Sequence, residues 1–237
     1  MISGDKNYNG VIDDLVNGSW ISPSDNKKYG IPIKNIEIRE TLDGREYDLI
    51  ESLHSNQKLL VVSDPFTHKA MGSRIFNNLK TKMNAEEYIW EQPSSSIEGV
   101  QFLRTKLKDY DGMIAVGSGT VSDSIKYATF LEDKVYSVFA TTPMNAYTTG
   151  TASISFDGIK KSLVAHYAQG VFFDLEVLSN CPKRLTAAAF ADVICRTTAQ
   201  VDWLMSHKLL NTDYKTTPYE LLALYEMDMI NNASDIA

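Results

Sequence analysis

The stretch 111-DGMIAVGSGTVSDSIKYATF-130 decides the fold. Its four apolar residues at 113–116 predict a buried strand, and the spacing that follows predicts a helix from about residue 122 to residue 131. A strand, a glycine turn and a helix N-terminus form an anion site, because backbone N–H groups point outward and glycine lets oxygen atoms approach. The candidate phosphate ligands are Gly117, Ser118, Gly119 and Thr120.

The glycine turn also has a plainer interpretation, a tight turn that binds nothing. It is not a P-loop, because Gly-Lys-Ser/Thr is absent, and Ser122 stands where the third glycine of the dinucleotide fingerprint belongs. Ser122 or Asp123 is available to cap the predicted helix. The turn alone leaves both interpretations open.

A second feature favours a nucleotide. In 61-VVSDPFTH-68, Asp64 directly follows a predicted strand. An acid at this place in a doubly wound sheet accepts hydrogen bonds from both hydroxyls of an adenosine ribose, and its charge disfavours a 2′-phosphate. Asp64 also suits the N-cap of the next helix, and the two roles can coexist. Together, Asp64 and the glycine turn predict a dinucleotide across the carboxyl edge of the sheet.

Strands alternate with helices through the first part of the chain. Apolar or alternating runs predict strands at 33–39, 58–63, 113–116 and 136–140, with helical spacing between them. Strands that are apolar on both faces are typical of a parallel sheet covered by helices. Two long helical patterns follow, at 182–208 and 218–230. We predict an α/β, Rossmann-like parallel sheet domain over 1–177 and an all-helical domain over 178–237.

The bulk composition excludes other classes of function. The 237 residues carry a formal net charge of -7, which repels nucleic acid, and no basic run is longer than a pair. The two cysteines lack metal-site spacing and suggest a reducing compartment. The polar start is unlike a signal peptide, and no apolar run approaches the roughly 20 residues that span a bilayer. We therefore expect a cytoplasmic protein with no nucleic-acid partner and no membrane span.

Four segments carry a resemblance to one enzyme family. They are GSGTVSDSIKYA at 117–128, ATTPMNAYTTGTAS at 140–153, DGIKKSL at 157–163 and FADVICRTTAQVDWLMSHKL at 190–209. In this order they resemble the sn-glycerol-1-phosphate dehydrogenase branch of the iron-containing alcohol dehydrogenase and dehydroquinate synthase superfamily. The resemblance implies hydride transfer with NAD or NADP, assisted by zinc or another divalent metal. The implied substrates are dihydroxyacetone phosphate and sn-glycerol 1-phosphate, or a related small polyol phosphate.

The resemblance also implies which residues contact the cofactor. The glycine turn at 117–120 would hold the pyrophosphate, and Asp123 and Lys126 would reach the nicotinamide ribose. The loop at 140–153 would lie along the cofactor, with adenine near its start and nicotinamide near its end. Its residues Thr141, Thr142 and Thr149 would line the cofactor. Taken without the family, Asp123 and Lys126 are equally well a surface i,i+3 ion pair, and the threonine-rich segment is simply a loop.

Asp192 is the predicted metal ligand and one of two catalytic candidates. It lies inside the apolar helical run AAAFADVIC at 187–195, where a carboxylate without a compensating charge is costly to bury. Either a divalent cation or Arg196, one turn further on, compensates it. In the family the metal polarises the substrate carbonyl and so assists hydride transfer.

Asn145 and Lys160 are the substrate-binding candidates that the resemblance implies. Asn145, the second catalytic candidate, stands where many polyol-reducing members carry an aspartate, so it can hydrogen-bond a hydroxyl but cannot accept a proton. Lys160 and Lys161 suit a substrate phosphate, but adjacent residues of a strand face opposite ways, so at most one of them binds it.

The metal site departs from the family pattern. Members complete it with two histidines from later helices, whereas this sequence stops at Ala237, so the helical domain looks truncated. His207 lies roughly 22 Å along the helix from Asp192, and the other histidines fall outside that helix. The apolar faces at 193–210 and 221–229 would then be exposed, which predicts a homo-oligomer or poor solubility. An alternative function is therefore a catalytically silent dinucleotide-binding module or inactive fragment.

Overall fold

The computed structural model of the protein describes residues 8–236. This part of the chain forms two compact units. One comprises residues 32–181, and the other joins residues 8–31 to residues 182–236. The segment before residue 31 contains a helix and a small hairpin where it is described, and its first seven residues lie outside the described part. The predicted division at residue 177 stays a prediction.

The elements follow the chain in alternation up to the long helices. The first group is α1 (Tyr8–Val16), β1 (Trp20–Ile21), β2 (Lys28–Tyr29), β3 (Asn35–Arg39), α2 (Glu46–His54), β4 (Leu59–Ser63), α3 (Pro65–Thr67), a π-helical turn (His68–Gly72), α4 (Ser73–Leu79) and β5 (Ala85–Ile89). The second is α5 (Ile97–Leu107), β6 (Gly112–Gly117), α6 (Gly119–Leu131), β7 (Val135–Ala140), a 3₁₀ turn (Ala146–Thr148), β8 (Thr151–Phe156), β9 (Ile159–Val164) and β10 (Gly170–Asp174). The last is α7 (Leu175–Ser179), α8 (Lys183–Leu210), α9 (Thr217–Asn231) and α10 (Ala233–Ile236).

Six parallel strands form the central sheet, in the order β3-β10-β7-β6-β4-β5. Both β4 and β6 are buried along their whole length, because helices cover both faces of the sheet. One face packs under α2 and α4 around Ile50, Ile75 and Phe139. The predicted α/β class with a parallel sheet and following helices is confirmed.

Two strands after residue 140, β8 and β10, were not predicted, whereas the strand assumed at Lys160 and Lys161 is β9. The antiparallel pair β8–β9 carries Lys160 and Lys161, and β10 joins the sheet between β3 and β7. β10 (GVFFD) is five residues long, and its apolar run is only the three residues between glycine and aspartate, which is too short to distinguish a strand from a loop. β10 pairs with both β7 and β3, so it joins β3, which lies far away in the sequence, to the edge of the sheet.

The helix after the glycine turn starts three residues earlier than predicted. α6 begins at Gly119, so Ser122 and Asp123 lie inside it and the prediction that one of them caps it is wrong. Ser122 Oγ instead donates to the Gly119 carbonyl oxygen at 3.3 Å. The first turn contains glycine and threonine, which are weak helix formers, and this conceals its helical character in the sequence.

A buried ionic cluster ties α4 to the end of β10. Arg74 Nε donates to Glu46 at 2.7 Å, and Arg74 Nη2 donates to Asp174 at 2.6 Å. Both carboxylates are fully buried, whereas the Arg74 side chain is 28 % exposed. Asp174 also accepts the Leu42 N–H at 2.9 Å and the Val177 N–H at 3.1 Å. The cluster therefore joins four segments around one guanidinium.

The helical unit consists mainly of α8 and α9. α8 runs for 28 residues and ends at Asn211, which adopts the left-handed conformation with φ 56°. Many apolar side chains of both helices are exposed, among them Val201 at 58 %, Leu209 at 79 % and Met227 at 57 %. A cavity of about 450 Å³ lies between the helices. No helix within residues 8–236 combines the length and apolar character needed to cross a membrane.

Candidate functional site

The candidate site lies where the strand order reverses. β5 lies on one side of β4, and β6 lies on the other. The chain segments that follow β4 and β6 therefore run in opposite directions across the sheet, which leaves a crevice at the carboxyl ends of these two strands. Open α/β sheets bind their ligands at this switch point. Ser63 pairs with Val116 in the parallel register, so Asp64 and Gly117 follow side by side at that edge. The sheet thus brings together the two features that the sequence analysis singled out.

The two glycines of the turn serve different purposes. A Cβ on Gly117 would lie 2.8 Å from the Cβ of Val121, so Gly117 is required for the strand to pass closely under α6. Within residues 8–236, a Cβ on Gly119 would meet only Met144 Sδ, at 3.9 Å. The backbone at Gly119 therefore faces open space, which leaves room for a ligand.

The N-terminus of α6 supplies backbone donors at this open position. Ser118 is the N-cap, but its side chain makes no capping hydrogen bond. The helical bonding begins with the Ser122 N–H to the Ser118 carbonyl oxygen at 3.0 Å. The N–H groups of the first turn precede that bond, and such groups bind anions together with the helix dipole. Ser118, Gly119 and Thr120 are partly exposed, so a phosphate can reach them.

Thr141 presents a buried hydroxyl beside the turn. Its N–H donates to the Gly117 carbonyl oxygen at 3.3 Å, which places it directly after β7 at the same edge. The residue is 6 % exposed, and within residues 8–236 its Oγ1 has no hydrogen-bond partner. A buried hydroxyl without a partner is costly, so this atom suits a ligand that supplies one.

Tyr147 fixes the turn from the other side, and the sequence analysis missed it. Its phenol donates to the Gly117 carbonyl oxygen at 3.1 Å and lies 2.8 Å from Thr142 Oγ1. Burial raises the pKa of Tyr147 to about 12, so the phenol keeps its proton. Thr142 is buried, and its hydroxyl is thus engaged with Tyr147. Nothing in the sequence distinguishes this tyrosine from others in loops.

Asp64 is the N-cap of α3, as one of its two interpretations predicts. Its Oδ1 accepts the N–H groups of Phe66 at 2.8 Å and Thr67 at 2.9 Å, and Thr67 completes a capping box. No residue of the described chain donates to Oδ2, so a second acceptor remains for a ribose. The ribose role stays a prediction.

Asp123 and Lys126 form a buried pair, not the surface pair that was the alternative. The Lys126 side chain is fully buried, and its Nζ lies 3.3 Å from Asp123 Oδ1. Asp123 Oδ2 accepts the Ser153 N–H at 3.1 Å. Nζ also reaches three oxygen atoms of the following loop, including Thr149 Oγ1 at 3.2 Å. Their predicted contact with the nicotinamide ribose is untested.

The substrate-binding candidates occupy two different elements. Asn145 precedes the 3₁₀ turn, and its carbonyl oxygen accepts from Thr148 Oγ1 at 3.2 Å. Lys160 and Lys161 are both exposed on β9, and the Lys161 ammonium lies 5.3 Å from the centroid of the Phe156 ring. Lys160 pairs with Ser155 in the ladder and stays the predicted phosphate contact.

Asp192 lies in α8 and is half-buried, and its role as a metal ligand stays a prediction. The surrounding helix is mostly exposed in the described unit. Within residues 8–236, no three histidine, cysteine, aspartate or glutamate side chains are grouped to hold a metal ion. Since a zinc site needs about three protein ligands, the described residues alone do not fit one.

The histidines are engaged elsewhere. His54 bonds Ser137 and Gln57, and His166 Nε2 lies 2.9 Å from Thr129 Oγ1. His68 pairs with Glu87 at 3.1 Å, and His207 Nδ1 lies 2.6 Å from the Thr212 carbonyl oxygen. Each of these contacts is explained by packing within its own unit.

Comparison with known families decides the identity of the fold. The sequence profile described as iron-containing alcohol dehydrogenase matches residues 37–182, which is more than half of the chain. The chain belongs to the iron-containing alcohol dehydrogenase family. The match spans β4, β6 and the candidate site, and it confirms the resemblance found in the sequence.

Several curated relatives of this iron-containing alcohol dehydrogenase chain share the same name. Glycerol-1-phosphate dehydrogenase [NAD(P)+] of Geobacillus thermodenitrificans is 28% identical over 189 residues, covering 76% of this chain and 47% of that protein. The protein of that name from Pyrococcus horikoshii is 31% identical over 165 residues, covering 68% and 47%. The chain thus spans about half the length of the curated relatives it matches.

Solved structures agree on the iron-containing alcohol dehydrogenase fold. Glycerol dehydrogenase from Schizosaccharomyces pombe superposes with a TM-score of 0.61 at 19% identity, over 69% of this chain and 42% of the other. Maleylacetate reductase from Agrobacterium tumefaciens gives 0.59 at 16% identity, over 70% and 47%. At these identities the likeness concerns the fold alone.

Proposed function

We propose that the chain binds NAD(H) or NADP(H) in the crevice between β4 and β6. We further propose that it serves a dehydrogenase that interconverts dihydroxyacetone phosphate and sn-glycerol 1-phosphate. The observation that carries the cofactor proposal is the combination of open space at Gly119 with the partnerless hydroxyl of Thr141 at the same sheet edge. The names of the curated relatives support the choice of reaction.

Each part of the crevice has a task in this proposal. The first-turn N–H groups of α6 bind the pyrophosphate, and Thr141 Oγ1 donates to the cofactor beside it. Asp64 Oδ2 accepts the adenosine ribose hydroxyls while Oδ1 continues to cap α3. The bound nicotinamide supplies or accepts the hydride. Asn145 hydrogen-bonds a substrate hydroxyl, and Lys160 pairs with the substrate phosphate.

Among the described residues, Asp192 is the only one that we propose as a metal ligand. As the described residues offer one candidate ligand, the remaining ligands have to come from outside residues 8–236 or from another chain. A homo-oligomer and a cytoplasmic location also stay predictions.

One assay tests the function directly. The protein is incubated with NADH, zinc and dihydroxyacetone phosphate, and the loss of nicotinamide absorbance is followed. Oxidation that requires the ketone supports the dehydrogenase. Tight NADH binding without any oxidation under metal-replete conditions instead favours the alternative, a catalytically silent dinucleotide-binding module.

Asp64→Asn should weaken NADH binding about tenfold, because the amide keeps the capping oxygen but loses the charge and the second acceptor. Fluorescence titration measures the dissociation constant. Asp111→Asn is the matched control, since Asp111 accepts the Lys58 N–H at 2.8 Å at the opposite edge of the sheet. An unchanged constant for Asp64→Asn rejects its ribose role.

In a protein or assembly that supplies the remaining ligands, Asp192→Asn should lower the zinc content, because a neutral amide is a poor ligand for a divalent cation. Elemental analysis after dialysis against equimolar zinc gives the stoichiometry. Asp202→Asn, ten residues further along α8, is the control. Equal zinc content in Asp192→Asn and the unaltered protein favours the alternative, in which Arg196 neutralises the carboxylate.

A further inference from the structure

Lys126 is an ammonium group with no access to solvent. Its side chain is fully buried, although lysine is among the residues least often found inside proteins. Nζ donates to the Ala146 carbonyl oxygen at 2.7 Å and to the Thr151 carbonyl oxygen at 2.9 Å. Thr149 Oγ1 lies at 3.2 Å and Asp123 Oδ1 at 3.3 Å. Since an ammonium has three N–H groups, these four oxygen atoms leave it none to offer elsewhere.

The three loop oxygens all come from one short segment, residues 146–151. This segment runs from the 3₁₀ turn to the first residue of β8 and surrounds the ammonium. Asp123 reinforces the arrangement, because its second carboxylate oxygen accepts the N–H of Ser153. One pair of side chains on α6 therefore fixes the loop and the start of β8 together.

The same segment is connected to the glycine turn. Ala146, whose carbonyl oxygen accepts from Lys126, directly precedes Tyr147. Tyr147 in turn donates to the Gly117 carbonyl oxygen at 3.1 Å. The loop thus lies beside the turn, while Gly117 is also held by the β6–β7 ladder and by the Thr141 N–H, which do not depend on Lys126.

We propose that Lys126 is a positioning residue for the cofactor: its ammonium fixes residues 146–151 beside the glycine turn and does not itself contact the dinucleotide. This inference rests on the proposed function and on the family resemblance, which implies that the nicotinamide lies near the end of this loop. It replaces the ribose contact that the family resemblance implies for Lys126. The loop then depends on an internal cation that belongs to the chain itself.

The energetics support a dependence on the charge of Lys126. Burial lowers the pKa of Lys126, and the adjacent Asp123 carboxylate opposes that shift. Removing the ammonium leaves Asp123, which is 7 % exposed, without its counter-charge. It also takes the charged donor from the carbonyl oxygens of Ala146 and Thr151, which keep contacts with Thr149. A buried carboxylate without a counter-charge, next to carbonyl oxygens that have lost a donor, is strongly unfavourable. The loop therefore has to rearrange.

Lys126→Met tests the proposal, because methionine keeps most of the apolar stem and lacks the ammonium. We expect it to bind NADH about tenfold more weakly but ADP within about twofold of the unaltered protein. ADP contains the adenosine and pyrophosphate but no nicotinamide. Fluorescence titration measures NADH, and calorimetry measures ADP.

Lys134→Met is the matched control. Its ammonium also donates to three carbonyl oxygens, those of Leu107, Lys108 and Tyr110 at 2.8, 3.3 and 2.6 Å, but it precedes β7 at the amino edge of the sheet. We expect it to leave both affinities within about twofold. A general loss of stability would act on NADH and ADP alike in either variant.

Chemical rescue separates the charge from packing. Lys126→Ala lacks three methylene groups and the ammonium, which together correspond to propylammonium. Added propylammonium should restore NADH affinity, whereas 1-propanol should not. Equal rescue by both compounds, or none by either, contradicts a role for the charge.

The outcomes also separate this inference from the proposed function. Unaltered protein that binds neither NADH nor NADPH overturns the proposed function and the cofactor role of Lys126 with it. Unaltered protein that binds NADH, together with Lys126→Met that binds it equally well, overturns only the inference. So does an equal loss of NADH and ADP affinity in Lys126→Met.

Discussion

Gly119→Val should abolish measurable NADH binding at concentrations that saturate the unaltered protein, with an affinity loss of about 100-fold or more. The valine side chain would project into the open space next to the first-turn N–H groups, where the pyrophosphate is proposed to bind. Only Met144 Sδ lies within 4 Å of the new Cβ, so the fold should accept the substitution. Fluorescence titration and a thermal unfolding curve measure the two effects.

Gly117→Ala provides the contrast. Its Cβ would lie 2.8 Å from the Cβ of Val121 and 3.0 Å from Val121 Cγ2, both in a fully buried region. Overpacking of this kind typically costs about 1–3 kcal/mol, so this variant should lose stability. If Gly119→Val keeps normal cofactor affinity, the proposed place of the pyrophosphate is wrong.

Arg74→Met should lower the free energy of unfolding by about 3 kcal/mol or more, the largest stability effect that we expect. It leaves the fully buried carboxylates of Glu46 and Asp174 without their guanidinium. Arg39→Met is the matched control, because Arg39 pairs with Glu37 at 2.6 Å but is 52% exposed. This variant should lower the free energy of unfolding by only about 0.5 kcal/mol. Urea unfolding measures both. A loss in Arg74→Met no larger than in Arg39→Met contradicts the role given to the cluster.

The same cluster predicts how stability depends on pH. Burial alone would raise the pKa of Asp174, but hydrogen bonds from the Leu42 N–H, Arg74 and the Val177 N–H outweigh it and hold the pKa below its ordinary value of 3.8. A carboxyl whose pKa is depressed by folding stabilises the protein above its unfolded pKa, and this contribution is lost as pH falls through the folded pKa. The loss of folding stability that protonation of Asp174 causes should therefore occur below about pH 4.

The parts of the fold that the sequence predicts are those determined by local pattern. β4 and β6 are continuous apolar runs, and Asp64 and the glycine turn follow them directly, so both the sheet and one edge of it could be anticipated. The short strand β10 was missed because five residues carry too little periodicity. Its place in the sheet depends on partners far away in the sequence.

The chemistry of individual side chains was harder to predict. An Asp-x-x-Lys pair on a helix resembles a surface ion pair, and only the loop 20 to 25 residues later shows that Lys126 is enclosed. The missing partner of Thr141 Oγ1 likewise follows from the packing of a whole sheet edge. Conversely, the apolar surroundings of Asp192 in the sequence suggested burial that the described helix does not show.

The division into two compact units has an evolutionary consequence. Asp64, the glycine turn and Thr141 all belong to residues 32–181, whereas Asp192 belongs to the helical unit. Mutations that alter preference for one redox coenzyme over another can thus accumulate in one unit without touching the metal candidate in the other. Because the substrate candidates Asn145 and Lys160 also lie in residues 32–181, changes in substrate preference and in coenzyme preference would have to evolve within the same unit.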